Sequence, residues 1–145
     1  MSLRAGESSS QHELRISDAQ FQANESVALA LIIRALVETI IREPVTQVGL
    51  NPEMLDLAFW QAAKHGLEGN QLDSETGDSI PSDQLVRVLL GHIRGALHEN
   101  GDVELVKAAT DRLLTRGNGA RRQRESMARG GIGRVISDAA SAFTA

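Results

Sequence analysis

Glu13 and Arg15 are the residues whose types and spacing best suit chemistry in this chain. They stand in HELRISD, where Leu14 and Ile16 alternate with Glu13, Arg15 and Ser17, the period of a half-buried strand. Two positions apart on a strand, their side chains project from the same face. A carboxylate beside a guanidinium on a rigid strand suits a magnesium-phosphate site, the oxygen ligating the ion and the planar fork holding phosphoryl oxygens. The plainer reading of the same spacing is an ordinary ion pair, individually worth little.

A second candidate is GNGARRQR, residues 117–124. Two glycines precede a helix start, and Arg121, Arg122 and Arg124 follow, so a flexible loop, a helix N-terminus and three cations stand together as a site that can bind an anion. The competing account is a C-cap, a turn and a solvated basic helix, and the Lys-Ser/Thr of a phosphate-binding loop is absent. Trp60 with Lys64 four residues on could make a cation–π contact or hold a base, or Trp60 could sit half-buried at a helix seam.

Other combinations carry less. His12-Glu13 has no second histidine at the spacing of a zinc protease helix. The stretch DSETGDSIPSDQ has Gly77 one place too early for a calcium loop, Pro81 inside it and Gln84 where the bidentate Glu belongs, so it reads as a solvated acidic loop. His65, His92 and His98 lie on or at the ends of helices without a clustered carboxylate and read as packing or capping residues.

The elements that must position these residues are mainly helical. Residues 24–42, NESVALALIIRALVETIIR, form the most apolar segment, with Ser26, Ala30, Arg34, Glu38 and Arg42 making one narrow stripe at four-residue spacing. Such a helix needs cover on most sides, with Ile33 and Leu36 in the core, Asn24 as N-cap and Pro44 ending the pattern. Further helices are expected at 53–65, 84–99, 103–116 and 120–129, with a weak last one near 135–143. The inward residues include Val88, Leu89, His92, Ile93, Ala96 and Leu97 on the third helix and Leu105, Val106 and Ala109 on the fourth, which Asp102 caps. Residues 67–80 read as an acidic loop and residues 1–11 as a disordered lead-in. The expected architecture is therefore a bundle of four to six helices around 27–41, in a single unit over 12–145. One N-terminal strand, 12–18, finds no strand partner in the chain. In isolation that strand should disorder or pair with the same strand of a second chain as a homodimer.

Composition narrows the classes. A chain of 145 residues with 41% hydrophobic content and 3 prolines can bury one ordinary core. No apolar run approaches a membrane span, there are no secretory features, and cysteine is absent, so a cytoplasmic location is the default and any metal must use oxygen or imidazole. Residues 1–106 hold 7 basic and 16 acidic side chains, residues 107–145 hold 8 and 3, so a net −4 chain has a basic end suited to phosphate. Three Phe, one Trp and no Tyr make a poor stacking platform, so no nucleic-acid partner is expected.

In this order, HELRISDAQ, ALALIIRALVETIIRE, FWQAAKHGLEGNQLD and GNGARRQR resemble the C-terminal part of bacterial carboxylate–amine ligases of the glutamate–cysteine ligase type. The resemblance implies an α+β full-length enzyme whose Glu-x-Arg strand belongs to an antiparallel sheet flooring the active site, completed by sequence absent here. It also implies magnesium-bound ATP as cosubstrate, phosphorylation of the glutamate side chain, and amide formation with an amine such as cysteine. By position, Glu13 would be a metal ligand and Arg15 would contact the transferred phosphoryl group. Relatives are more basic around the tryptophan than Phe59, Trp60, Gln61 and Lys64. One Glu and one Arg cannot hold magnesium-ATP and two further substrates, so the chain alone is expected to be inactive and without cofactor. The reading from another class is a non-catalytic helical interaction module with a basic C-terminal end.

Overall fold

The computed structural model describes residues 20, 22–43, 51–73 and 76–143. The lead-in 1–11, the 12–18 strand and the residues Glu13 and Arg15 lie outside that range.

The chain is mainly α, as its periodicity implies. Helix α1 spans Ala23–Arg42. Its N-cap is Gln22 rather than Asn24, because Glu25 at the third helical position reaches back to accept the Gln22 backbone N–H at 3.2 Å. Helix α2 (Pro52–His65) starts on Asn51, whose Oδ1 accepts the Glu53 N–H at 3.0 Å, and stops at Gly66 with φ 56°.

The acidic loop expected over 67–80 contains more structure than that. A 3₁₀ turn (Gly66–Glu68) leads into an antiparallel hairpin of β1 (Asn70–Leu72) and β2 (Ser79–Pro81), with Gln71 opposite Ile80. Three residues per strand leave no alternation to read, and neither strand carries the β-branched run that marks one. What fixes the hairpin is tertiary. Gln71 and Ser82 are buried polar residues; Gln71 Nε2 donates to the Gly66 carbonyl at 3.0 Å and Ser82 Oγ to the Gly69 carbonyl at 2.6 Å. The chain just beyond α2 thus gains partners for carbonyls that lie past the reach of its helical ladder.

The single helix expected at 84–99 is two, α3 (Ser82–His92) and α4 (Arg94–Glu99), hinged at Ile93. Gly91 and Gly95 flank the hinge and weaken the helix on both sides, while the turn drives Ile93 to 0% exposure. Helix α5 (Val103–Arg116) follows. Asp102 occupies its N-cap position, but the carboxylate pairs with Arg34 of α1 instead of capping. Helix α6 (Gly119–Phe143) joins the two predicted C-terminal helices; its backbone leaves helical geometry at Gly130 and Gly131, the latter with φ 66°. Ser126 Oγ donates to Asp138 at 2.7 Å, tying one half of α6 to the other, and Arg134 Nε donates to the same carboxylate at 2.8 Å from within the second half. No helix among the described residues is long and apolar enough to cross a membrane.

The core is Ala35, Ile93, Ala96, Leu97 and Val106, with Leu31, Ile32, Leu36, Leu89, Leu90 and Val103 packed around it. Helix α1 is the hub, meeting α3, α4 and α5. Its cover is narrower than its apolar surface suggests, and Val27, Val37, Ile40 and Ile41 remain exposed. Ile33 and Leu36 are half-buried, and only Leu36 packs on the core. Val88, His92 and Leu105, which helical spacing places inward, are exposed.

Candidate functional site

Four elements meet around a cavity of about 590 Å³: the end of α2, the start of α3, the end of α5 and the start of α6. Gly117 lets α5 turn into α6, with φ 78° and the Arg121 side chain lying where a Cβ would project. Asn118 then caps α6, its Oδ1 accepting the Arg121 N–H at 3.0 Å. The cap and the glycine aim the first turn of α6 at the cavity.

Arg121 and Arg124 both line it, joined by Lys64 and Arg87. Two carboxylates, Glu68 and Asp83, share the lining. Arg87 pairs with Asp83 at 3.0 Å, and Arg121 lies 3.0 Å from Glu125 and 3.6 Å from Glu68. No carboxylate of the described residues pairs with Lys64 or Arg124. Lys64 Nζ sits 4.4 Å from the Trp60 ring centre, so the cation–π contact forms, and Trp60 is exposed rather than held at a seam. Leu67, Leu113 and Leu114 give the cavity an apolar wall. Cations exceed carboxylates in the lining, beside an apolar wall and a helix N-terminus, a combination whose chemistry suits an anion with an organic body.

Arg122 does not join this group. It points the other way along α6 to Glu25 at 2.8 Å, both side chains largely buried, while Arg112 donates to Gln22 at 3.3 Å. These contacts clamp the N-terminus of α1 to α5 and α6. Arg87 carries no local signal of a site and Lys64 only that of its spacing from Trp60; both stand far from GNGARRQR in sequence and reach it only through the fold. Among the described residues, no three carboxylates or imidazoles come together as a metal-binding group.

The fold is a helical bundle with a cationic cavity between helix ends, and comparison with known proteins gives the chain's lineage. The chain belongs to the glutamate-cysteine ligase family 2 (GCS2), whose profile matches residues 1–138. It is 41% identical over 129 residues to a Streptomyces coelicolor protein named "Putative glutamate–cysteine ligase 2", covering 86% of this chain and 35% of that protein. Proteins of the same type from Frankia alni and Saccharopolyspora erythraea are each 40% identical, over 82% and 86% of this chain and 32% and 34% of their own lengths. The chain thus spans about a third of the relatives it matches.

Proposed function

We propose that this chain is the C-terminal portion of an ATP-dependent carboxylate–amine ligase that works in the cytoplasm, and that the cavity at the start of α6 receives a phosphate-bearing ligand of that enzyme. The observation that carries the reading is the gathering of Lys64, Arg87, Arg121 and Arg124 around one cavity in a GCS2 chain. In the reaction, the γ-phosphoryl group passes from ATP to the side-chain carboxylate of glutamate as the bond to ADP breaks. An amine such as cysteine then attacks the acyl carbon and loses a proton, and inorganic phosphate leaves. The chain's own cations would hold phosphate oxygens and offset their charge, Arg124 and Lys64 most freely because neither has a carboxylate partner among the described residues. Glu13 as magnesium ligand and Arg15 at the transferred group complete the reading.

The chain by itself should have no ligase activity and should bind magnesium-ATP no tighter than about millimolar, a free energy near −4 kcal/mol. That residual binding should fade with salt, since the cations are solvent-accessible, and should fall further in Arg121→Gln/Arg124→Gln. Calorimetric titration tests both points. Micromolar binding that depends on Glu13 would mean that the chain assembles a complete site. The activity itself is tested by amine-dependent phosphate release from a chimera in which this chain replaces the matching third of the Streptomyces coelicolor relative. If none of the amines offered with glutamate and ATP, from cysteine to simpler ones, raises phosphate release above background, the ligase reading fails.

A further inference from the structure

On α1, Ala23, Val27, Ala30, Arg34, Val37 and Ile41 succeed one another at spacings of four and three residues, and all are exposed. Val27 is 46% exposed, Val37 48% and Ile41 72%. Alternating steps of four and three are the heptad spacing of a seam that takes a second helix. The opposite side of α1, through Leu31, Ile32, Ala35 and Leu36, already fills the core. Helix α1 therefore has two apolar faces, one packed and one open, and a continuous open row of this kind marks an interaction surface.

Two features of the row identify what covers it. Arg34 stands two residues past the middle of the row, which runs from Ala23 to Ile41. Two copies of α1 joined along this row would set Arg34 against Arg34 if parallel in register, or against Ala30 if antiparallel about its middle, and neither offers the guanidinium an acceptor. Asp102 of the same chain takes one of its five donors and leaves others for a different helix that carries an acceptor. Moreover, about two thirds of the length of a GCS2 relative lies outside the stretch this chain matches. We propose that the row docks a helix from the part of the GCS2 polypeptide that this chain does not span. That helix would present small and apolar residues at heptad spacing and a hydrogen-bond acceptor opposite Arg34. The inference rests on family membership and not on the ligase reaction.

The same chimera with the Streptomyces coelicolor relative provides the test, alongside the isolated chain. Hydroxyl-radical labelling should modify Val37 and Ile41 readily in the isolated chain and several-fold less in the chimera. Val37→Asp/Ile41→Asp should lower the chimera's Tm by several degrees and leave the Tm and far-ultraviolet circular dichroism of the isolated chain unchanged. Equal labelling in both proteins would overturn the proposal. A dimeric isolated chain with Val37 and Ile41 protected would overturn it too, by assigning the row to a second copy. An insoluble chimera, where parent and isolated chain are both soluble, also counts against it. Protection without phosphate release would keep the docking and remove the ligase reading.

Discussion

Replacing Ile93 by Ala tests the position of the core directly. Ile93 is fully buried at the α3–α4 hinge and packs with Ala35, Ala96, Leu97 and Val106. The substitution removes three carbons, worth roughly 0.8 kcal/mol each in transfer from water, or about 2.4 kcal/mol together. Every ~40 Å³ that the neighbours fail to fill adds about 1 kcal/mol. Two of the four buried neighbours are alanine, with little side chain with which to close the gap, so a total near 3–4 kcal/mol is expected. Ile41→Ala removes the same three carbons from a residue 72% exposed, and should cost less than about 0.5 kcal/mol. In urea, with a slope of about 2 kcal/mol per molar, the Ile93 variant's midpoint should fall by roughly 1.5–2 M and that of the Ile41 variant by under about 0.3 M. Circular dichroism at 222 nm reads both transitions. Should Ile93→Ala be too unstable to measure, Ile93→Val is expected to lose about 1 kcal/mol. Equal losses at positions 93 and 41, or a loss below about 1 kcal/mol for Ile93→Ala, would refute this placement of the core.

Three further outcomes follow from particular contacts. Gly117→Ala should destabilise by about 1 kcal/mol or more, because φ there is 78° and the Arg121 side chain lies in the way, whereas Gly95→Ala, in helix with open space around it, should stabilise by about 0.5–1 kcal/mol; urea midpoints of the pair distinguish the two. Arg122→Gln strands the largely buried carboxylate of Glu25 and should cost about 2–3 kcal/mol, against about 0.3–0.5 for Arg87→Gln, whose Asp83 partner is exposed. The hydrogen bond from Ser126, and then Arg134, hold the Asp138 carboxyl below its ordinary value. Its contribution to stability is therefore present above the unfolded carboxylate pKa and lost as pH falls through the lower folded value. Asp138→Asn should lower the urea midpoint at pH 7 and converge with the wild type in strong acid.

Periodicity alone was sufficient for the helical class, for α5 with its boundaries, for the Gly66 stop and for α1 as the hub, since each depends on short-range spacing and backbone preference that any stretch of chain carries with it. The family, too, could be read from four ordered motifs. The hairpin could not, because three-residue strands have no pattern of their own and exist through Gln71 and Ser82 answering carbonyls at Gly66 and Gly69. Neither could the break at Ile93, where a core position outweighed the continuity of an amphipathic pattern. Arg121, Arg122 and Arg124 look equivalent in GNGARRQR, yet the turn of α6 sends Arg122 to Glu25 and leaves Arg121 and Arg124 on the cavity. Lys64 and Arg87 join them only through folding. Hydrophobicity marks α1 as apolar around most of its circumference, but which face is filled depends on where α4 and α5 dock, a question of packing between distant segments that no local spacing encodes.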